Sequence, residues 1–182
     1  MDVAALLKAI ESTSLAGWIR DSLYAFPLIE SFHVIGLTLV FGTIAIVDLR
    51  LLGLASIHRP FSKVAEVVRW TWAAFGLTIL SGSLMFITNA SVYFSNVQFR
   101  WKMLLIGLSG LNVLVFELTC GRNRDRWDKD QAAPPLGKLA AILSLTLWIS
   151  VIFLGRWVGF TNTGRSAAPA PDAEINLDDL FK

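Results

Sequence analysis

Four stretches of this 182-residue chain stay apolar for longer than a buried soluble helix requires. They run from about Leu23 to Leu54, Val67 to Thr88, Phe99 to Cys120 and Leu139 to Phe160. The hydrocarbon core of a bilayer takes about 20 helical residues to cross, and each stretch reaches that length. Inside lipid a segment must satisfy its own backbone, which leaves the α-helix as the form for runs of this kind. Composition agrees: 54% of residues are hydrophobic and 16% charged, with a mean hydropathy of +0.58. Soluble domains carry about 25% charged residues. A chain with so few cannot cover a water-facing surface, which excludes a soluble enzyme and a wholly disordered protein. The net charge of +2 is no footprint for nucleic acid. The expected fold is all-α: a four-transmembrane-helix bundle with an N-terminal interfacial amphipathic helix, and the lipid bilayer as its first partner.

Outside the spans, three regions are expected: an interfacial helix over 1–20, the transmembrane domain over 21–161, and a disordered acidic tail over 162–182. Val3, Leu6, Leu7 and Ile10 recur at helical spacing, with Lys8 and Glu11 off that stripe. Trp18 suits a headgroup boundary. A helix over 2–19 lying on the bilayer is the first expectation, and a cap packed on the bundle is the second. Asp2 sits where a signal peptide is basic, and Glu11 interrupts the apolar run, so a cleaved leader is not expected. Pro27 marks a kink or a first helical turn. Polar connections follow. Residues 55–66 include His58 and Ser62, a helix-capping residue type. Residues 89–98 carry Tyr93 as an interfacial anchor. In 121–138, bases and acids alternate as in a solvated loop. The tail places Ile175, Leu177, Leu180 and Phe181 among acids, as a solubilising end or a partner-docking segment. Cys120, the lone cysteine, is expected to be a buried thiol.

Lys and Arg are more frequent in the first and third connections with their flanks than at the other end of the spans. The positive-inside rule then puts those connections in the cytoplasm and both termini outside. Ionisable groups at membrane depth each need a partner or a purpose. Glu30 and His33 are three residues apart, on one helix face. With Lys102 and Arg156 they form a candidate polar site near the outer end. Asp48, Arg50, Arg69 and Glu117 are candidates for ion pairs at the inner end. Asn112 lies mid-span. All these groups either pin the helices together or open a small polar site to the outside. Gly36, Gly42, Gly76, Gly82, Gly107 and Gly110 allow close helix packing, and Ser81-Gly82-Ser83 can loosen the second span.

His33 invites a test against redox chemistry. A b-type haem in a bundle takes two axial ligands, commonly His with His or Met. His58 lies at the opposite end, but Met85 and Met103 fall near the depth of His33. Haem b or copper at His33 with one of these methionines is therefore a permitted, weakly signalled site. No catalytic constellation appears: no G-x-S-x-G, H-E-x-x-H, C-x-x-C pair or Walker loop.

An aromatic-rich lead into Glu30-Ser31-Phe32-His33 is followed by Gly36, Gly42 and Asp48-Leu49-Arg50-Leu51-Leu52-Gly53. Further on come Trp70-Thr71-Trp72-Ala73, Ser81-Gly82 with Phe86, Phe99-Arg100-Trp101-Lys102-Met103 and Gly110-Leu111-Asn112. Over about residues 15–120 this pattern resembles a bacterial family of small multi-spanning membrane proteins of unknown function, the D-L-R-L-L-G string being its most specific part. The resemblance implies a bacterial inner-membrane location and no established activity. It also implies a histidine in relatives where this chain has Glu117, so this member would lack one of two haem or metal ligands. The leading functional expectation is a non-enzymatic accessory or binding subunit of an inner-membrane assembly, with protein partners in that complex. The alternatives are an electron-transfer subunit using His33 and a small proton-coupled transporter using Glu30 and His33.

Overall fold

The structure is a computed structural model that describes residues 2–54, 68–120 and 133–166. The connection carrying His58 and Ser62, most of the third connection and the acidic end of the tail lie outside the described residues. All described elements are helical: α1 (Val3–Glu11), α2 (Ser14–Asp21), α3 (Ala25–Leu52), α4 (Val68–Thr88), α5 (Ala90–Ser95), α6 (Val97–Thr119) and α7 (Pro135–Ser166). Four of them, α3, α4, α6 and α7, are long and apolar enough to cross a membrane. They run up and down in chain order. α1, α2 and α5 sit at one end, here the capped end.

The expected helix over 2–19 is two helices. The Ser12 and Thr13 hydroxyls donate to carbonyls of α1, at Ala9 and Ile10, and Thr13 Oγ1 then accepts from Ala16 N to start α2. A side chain that closes one helix and caps the next breaks the run. The pair packs on the rest of the chain: α1 on α5, and α2 on α4 and α3. Ala16 and Ile19 are buried there, while Trp18 is 63% exposed. Glu11, placed off the apolar stripe by its charge, lies on the packed face, where Oε1 accepts from Ser91 N at 2.6 Å.

α3 starts from Ser22, whose Oγ accepts from Ala25 N, with Pro27 in the first turn, where the missing N–H costs nothing. It ends at Gly53, which adopts φ +79° so that its own N–H and that of Leu54 satisfy the last carbonyls. Asn96 caps α6 by accepting from Phe99 N.

The long helices do not all pack on one another. α3 packs on α4 and on α7, and α7 on α6. The core is Val40, Ala74, Trp148 and Val151, joined by Phe75, Leu105 and Ile106, with a smaller cluster around Leu51 and Ala141. α3 and α4 approach most closely at Gly36, where an added Cβ would lie 2.6 Å from Thr78 Oγ1. Gly82 gives room to the His33 ring. At the other glycines credited with close packing (Gly42, Gly76, Gly107, Gly110) an added Cβ meets nothing within 4 Å, so none of them sets a close helix approach. α4 runs unbroken through Ser81-Gly82-Ser83.

Candidate functional site

Two polar clusters sit between the long helices, one in each half. Toward the capped end, His33 turns from α3 onto α4. Its Nδ1 lies 3.1 Å from both Thr78 O and Ser81 Oγ, and Ser81 Oγ in turn donates to Leu77 O. Thr78, Ser81 and Met85 recur at three-four spacing, so the α4 face toward His33 also carries Met85. Lys102 of α6 lies within electrostatic range of His33, its ammonium and stem packed beside Gly155 of α7. Among the described residues no carboxylate lies within ion-pair distance of Lys102.

The other members expected at this site face elsewhere. Glu30 is exposed on the outer flank of α3, beside a surface patch with Pro27, Ser31 and Val34. Burial, and after it the charge of Glu30, pushes the Tyr93 phenol above its usual value. Arg156 is exposed, with its guanidinium 5.0 Å over the Phe160 ring of its own helix. Met103 is 44% exposed, one residue on from Lys102 and turned away from the interior. The structure thus joins His33 with Lys102 and separates them from Glu30, Arg156 and Met103. Positions 100° apart per residue on a helix cannot all face one partner. Among the described residues no three His, Cys, Asp or Glu side chains converge as metal ligands do.

The far half holds a cavity of about 350 Å³ lined by all four long helices. Its walls are mostly apolar and aromatic, with Trp72, Phe75, Phe116 and Trp148 among them. Asp48 of α3 and Trp148 of α7 are each 6% exposed and line it. Asp48 accepts a hydrogen bond from Ser144, yet among the described residues its Oδ2 has no partner, and neither has Trp148 Nε1. A buried acceptor and a buried donor, both unsatisfied, therefore line one cavity. Such groups cost about 1–3 kcal/mol each.

The expected pairing of Asp48 with an arginine is not what the structure shows. Asp48 meets Ser144, while Arg50, two residues on and so on the opposite face of α3, is buried elsewhere at 2% exposure. Arg69 is exposed at the start of α4. Glu117 lines the cavity. Asn112 clamps α6 to α7 through a 2.9 Å bond from Nδ2 to Ala140 O.

The cavity takes in part of the D-L-R-L-L-G string, through Asp48 and Leu51, and Gly53 closes the helix that carries them. Residues 9–161 match a family model described as Family of unknown function (DUF6644). The chain belongs to the DUF6644 family. The match covers the residues that carried the resemblance and extends it over α7, so Ser144 and Trp148 of this DUF6644 protein fall inside it. No curated protein and no solved structure matches the chain. Ser144 and Trp148 were missed at the level of sequence. The signal that finds them is a hydroxyl and an indole N–H, Ser144 and Trp148, on the buried stripe Ala141, Ser144, Trp148 and Val151 at three-four spacing.

Proposed function

We propose that this DUF6644 member is a multi-pass protein of the bacterial inner membrane that binds a small, mostly apolar molecule between its four spans. It would act as a binding component of an inner-membrane assembly, with both termini outside. One observation carries this reading: an apolar cavity among all four long helices, lined by a buried carboxylate oxygen and a buried indole N–H that find no partner among the described residues. A concave apolar site with a few convergent polar groups is the usual form of a small-molecule site. Unsatisfied buried groups are tolerated where a ligand completes them. Haem or copper at His33, and proton-coupled transport through Glu30 and His33, have less support, since Glu30, Met103 and Arg156 turn away from His33.

Gly110 lines the cavity, and a Cβ added there meets nothing within 4 Å. Gly110→Trp is therefore expected to fill the space without moving a helix. The full chain, carried from membranes into nanodiscs, is expected to retain a small molecule visible by native mass spectrometry. Gly110→Trp should lose it with helix content unchanged. Equal occupancy in the two proteins would overturn the reading.

A further inference from the structure

We infer that the cavity's ligand is a lipophilic amine, bound as its ammonium, that also carries an oxygen acceptor. This deepens the binding function proposed above and rests on it. Charge comes first. The buried charged side chain among the described lining residues is Asp48, and no Lys, Arg or His joins the lining; Glu117 also lines the space but is exposed and engaged in an interaction of its own. An anion beside Asp48 would meet like charge, whereas a cation meets its complement. Hydrogen bonding comes second. Ser144 occupies one side of the Asp48 carboxylate and leaves Oδ2 bare. An ammonium N–H is the donor that would make a charge-assisted bond there.

Aromatic surface is the third line. Trp72, Phe75, Phe116 and Trp148 line the same walls, and ring faces attract a desolvated cation. The apolar remainder of the cavity calls for a hydrocarbon body on that cation. Trp148 Nε1 then sets the second polar point. It is a donor with no acceptor, and Trp148 follows Ser144 by four residues on α7. An oxygen on the ligand would accept from this N–H.

The way in also suits an amphiphile. α4 and α6 meet near the capped end through the stacked Phe86 and Phe99 rings, 5.6 Å apart. At the cavity, Trp72 of α4 and Val113 of α6 both line the space and are 67% and 45% exposed, so the opening faces the lipid side of the helices. A ligand dissolved in the bilayer would reach it directly.

The test uses the full chain in phosphatidylcholine nanodiscs, which carry no net lipid charge, and three rigid probes of one shape. These are 3-amino-1-adamantanol, 1-adamantanol and 1-adamantanecarboxylate, with binding followed by tryptophan fluorescence and calorimetry. The amino alcohol should bind, the neutral alcohol about tenfold more weakly, and the carboxylate not at all. Asp48→Asn, close to isosteric, should weaken the amino alcohol by about tenfold or more and leave the neutral alcohol unchanged. Trp148→Phe removes the indole donor and keeps an aromatic ring. It should weaken both hydroxyl-bearing probes relative to a fourth, 1-aminoadamantane, which lacks the hydroxyl, and this keeps the proposal open to test if Asp48→Asn folds poorly. A carboxylate that binds as well as the amine, or an amine indifferent to Asp48→Asn, would overturn the ligand class. The cavity reading would survive that result if Gly110→Trp still abolished binding of every probe. Probes that bind equally to wild type and Gly110→Trp would sink both. A phospholipid chain held in the cavity and not displaced by the amine would overturn the amine.

Discussion

At Gly36 a single hydrogen in place of a methyl group decides how closely two spans approach. A Cβ there would lie 2.6 Å from Thr78 Oγ1 and 3.3 Å from both Ala74 O and Thr78 N. The hydroxyl can rotate away, but the backbone atoms cannot. Gly36→Ala is therefore expected to lower stability by about 1–3 kcal/mol, seen as a fall in melting temperature in detergent. Adding Thr78→Ala should restore only part of it. Gly42→Ala, with nothing within 4 Å of its Cβ, should be neutral. Equal effects at the two positions would mean that α3 and α4 are free to part. The sequence offered both glycines as equals, since each lies on an apolar helix with no polar face to mark its inner side. Asp48 poses the same problem. Its charge was legible, but its partner Ser144 lies on another helix 96 residues away in the chain and was not.

Among the elements, the two N-terminal helices serve the joint between α4 and α5. Arg20 Nη1 donates to Thr88 O, the last carbonyl of α4, at 3.1 Å. Glu11 accepts from Ser91 N in the first turn of α5, whose own N-cap residue Asn89 makes no side-chain cap bond. One helix pair thus satisfies an orphan acceptor and an orphan donor on either side of one turn, with charges of the sign each helix end favours. Loss of an N-cap acceptor costs about 1 kcal/mol. Glu11→Ala should therefore speed amide exchange in residues 90–95 about fivefold, with α3 and α7 unaffected. Exchange unchanged in that segment would show that water replaces the carboxylate at no cost. The three-four pattern of residues 2–19 made the helices legible. The break at Thr13 followed from hydroxyl chemistry that the pattern does not weigh, and Glu11 was misplaced because a charge on the packed face has meaning only once Ser91 is beside it.

For the molecule as a whole, tryptophans mark two levels. Trp18, Trp101 and Trp157 lie toward the capped end, and Trp70 and Trp72 lie at the start of α4, all well exposed. Belts of this kind are what two membrane–water boundaries select. Between them the helix flanks remain bare and greasy, as at Leu28, Leu39, Leu80 and Leu111. The orientation proposed from Lys and Arg places the capped end outside. Alkaline phosphatase, active only beyond the cytoplasm, fused after Lys182 is expected to be active, and fused within residues 55–66 to be silent. The reverse pattern would turn the protein over and place its N-terminal cap in the cytoplasm.

Length, apolarity and the punctuation of each segment were settled by the chain alone. A run of about 20 apolar residues closes its own backbone hydrogen bonds wherever it lies, and Gly53 ends α3 because a left-handed residue suits a helix stop. Rotation about each helix axis was decided only by packing. A helix that is apolar all round has no preferred inner face until a neighbour supplies one. That is why Glu30 and Arg156 read as one site with His33 and Lys102 and came apart from them, and why Asp48 came together around one cavity with Ser144 and Trp148, which the sequence had not singled out.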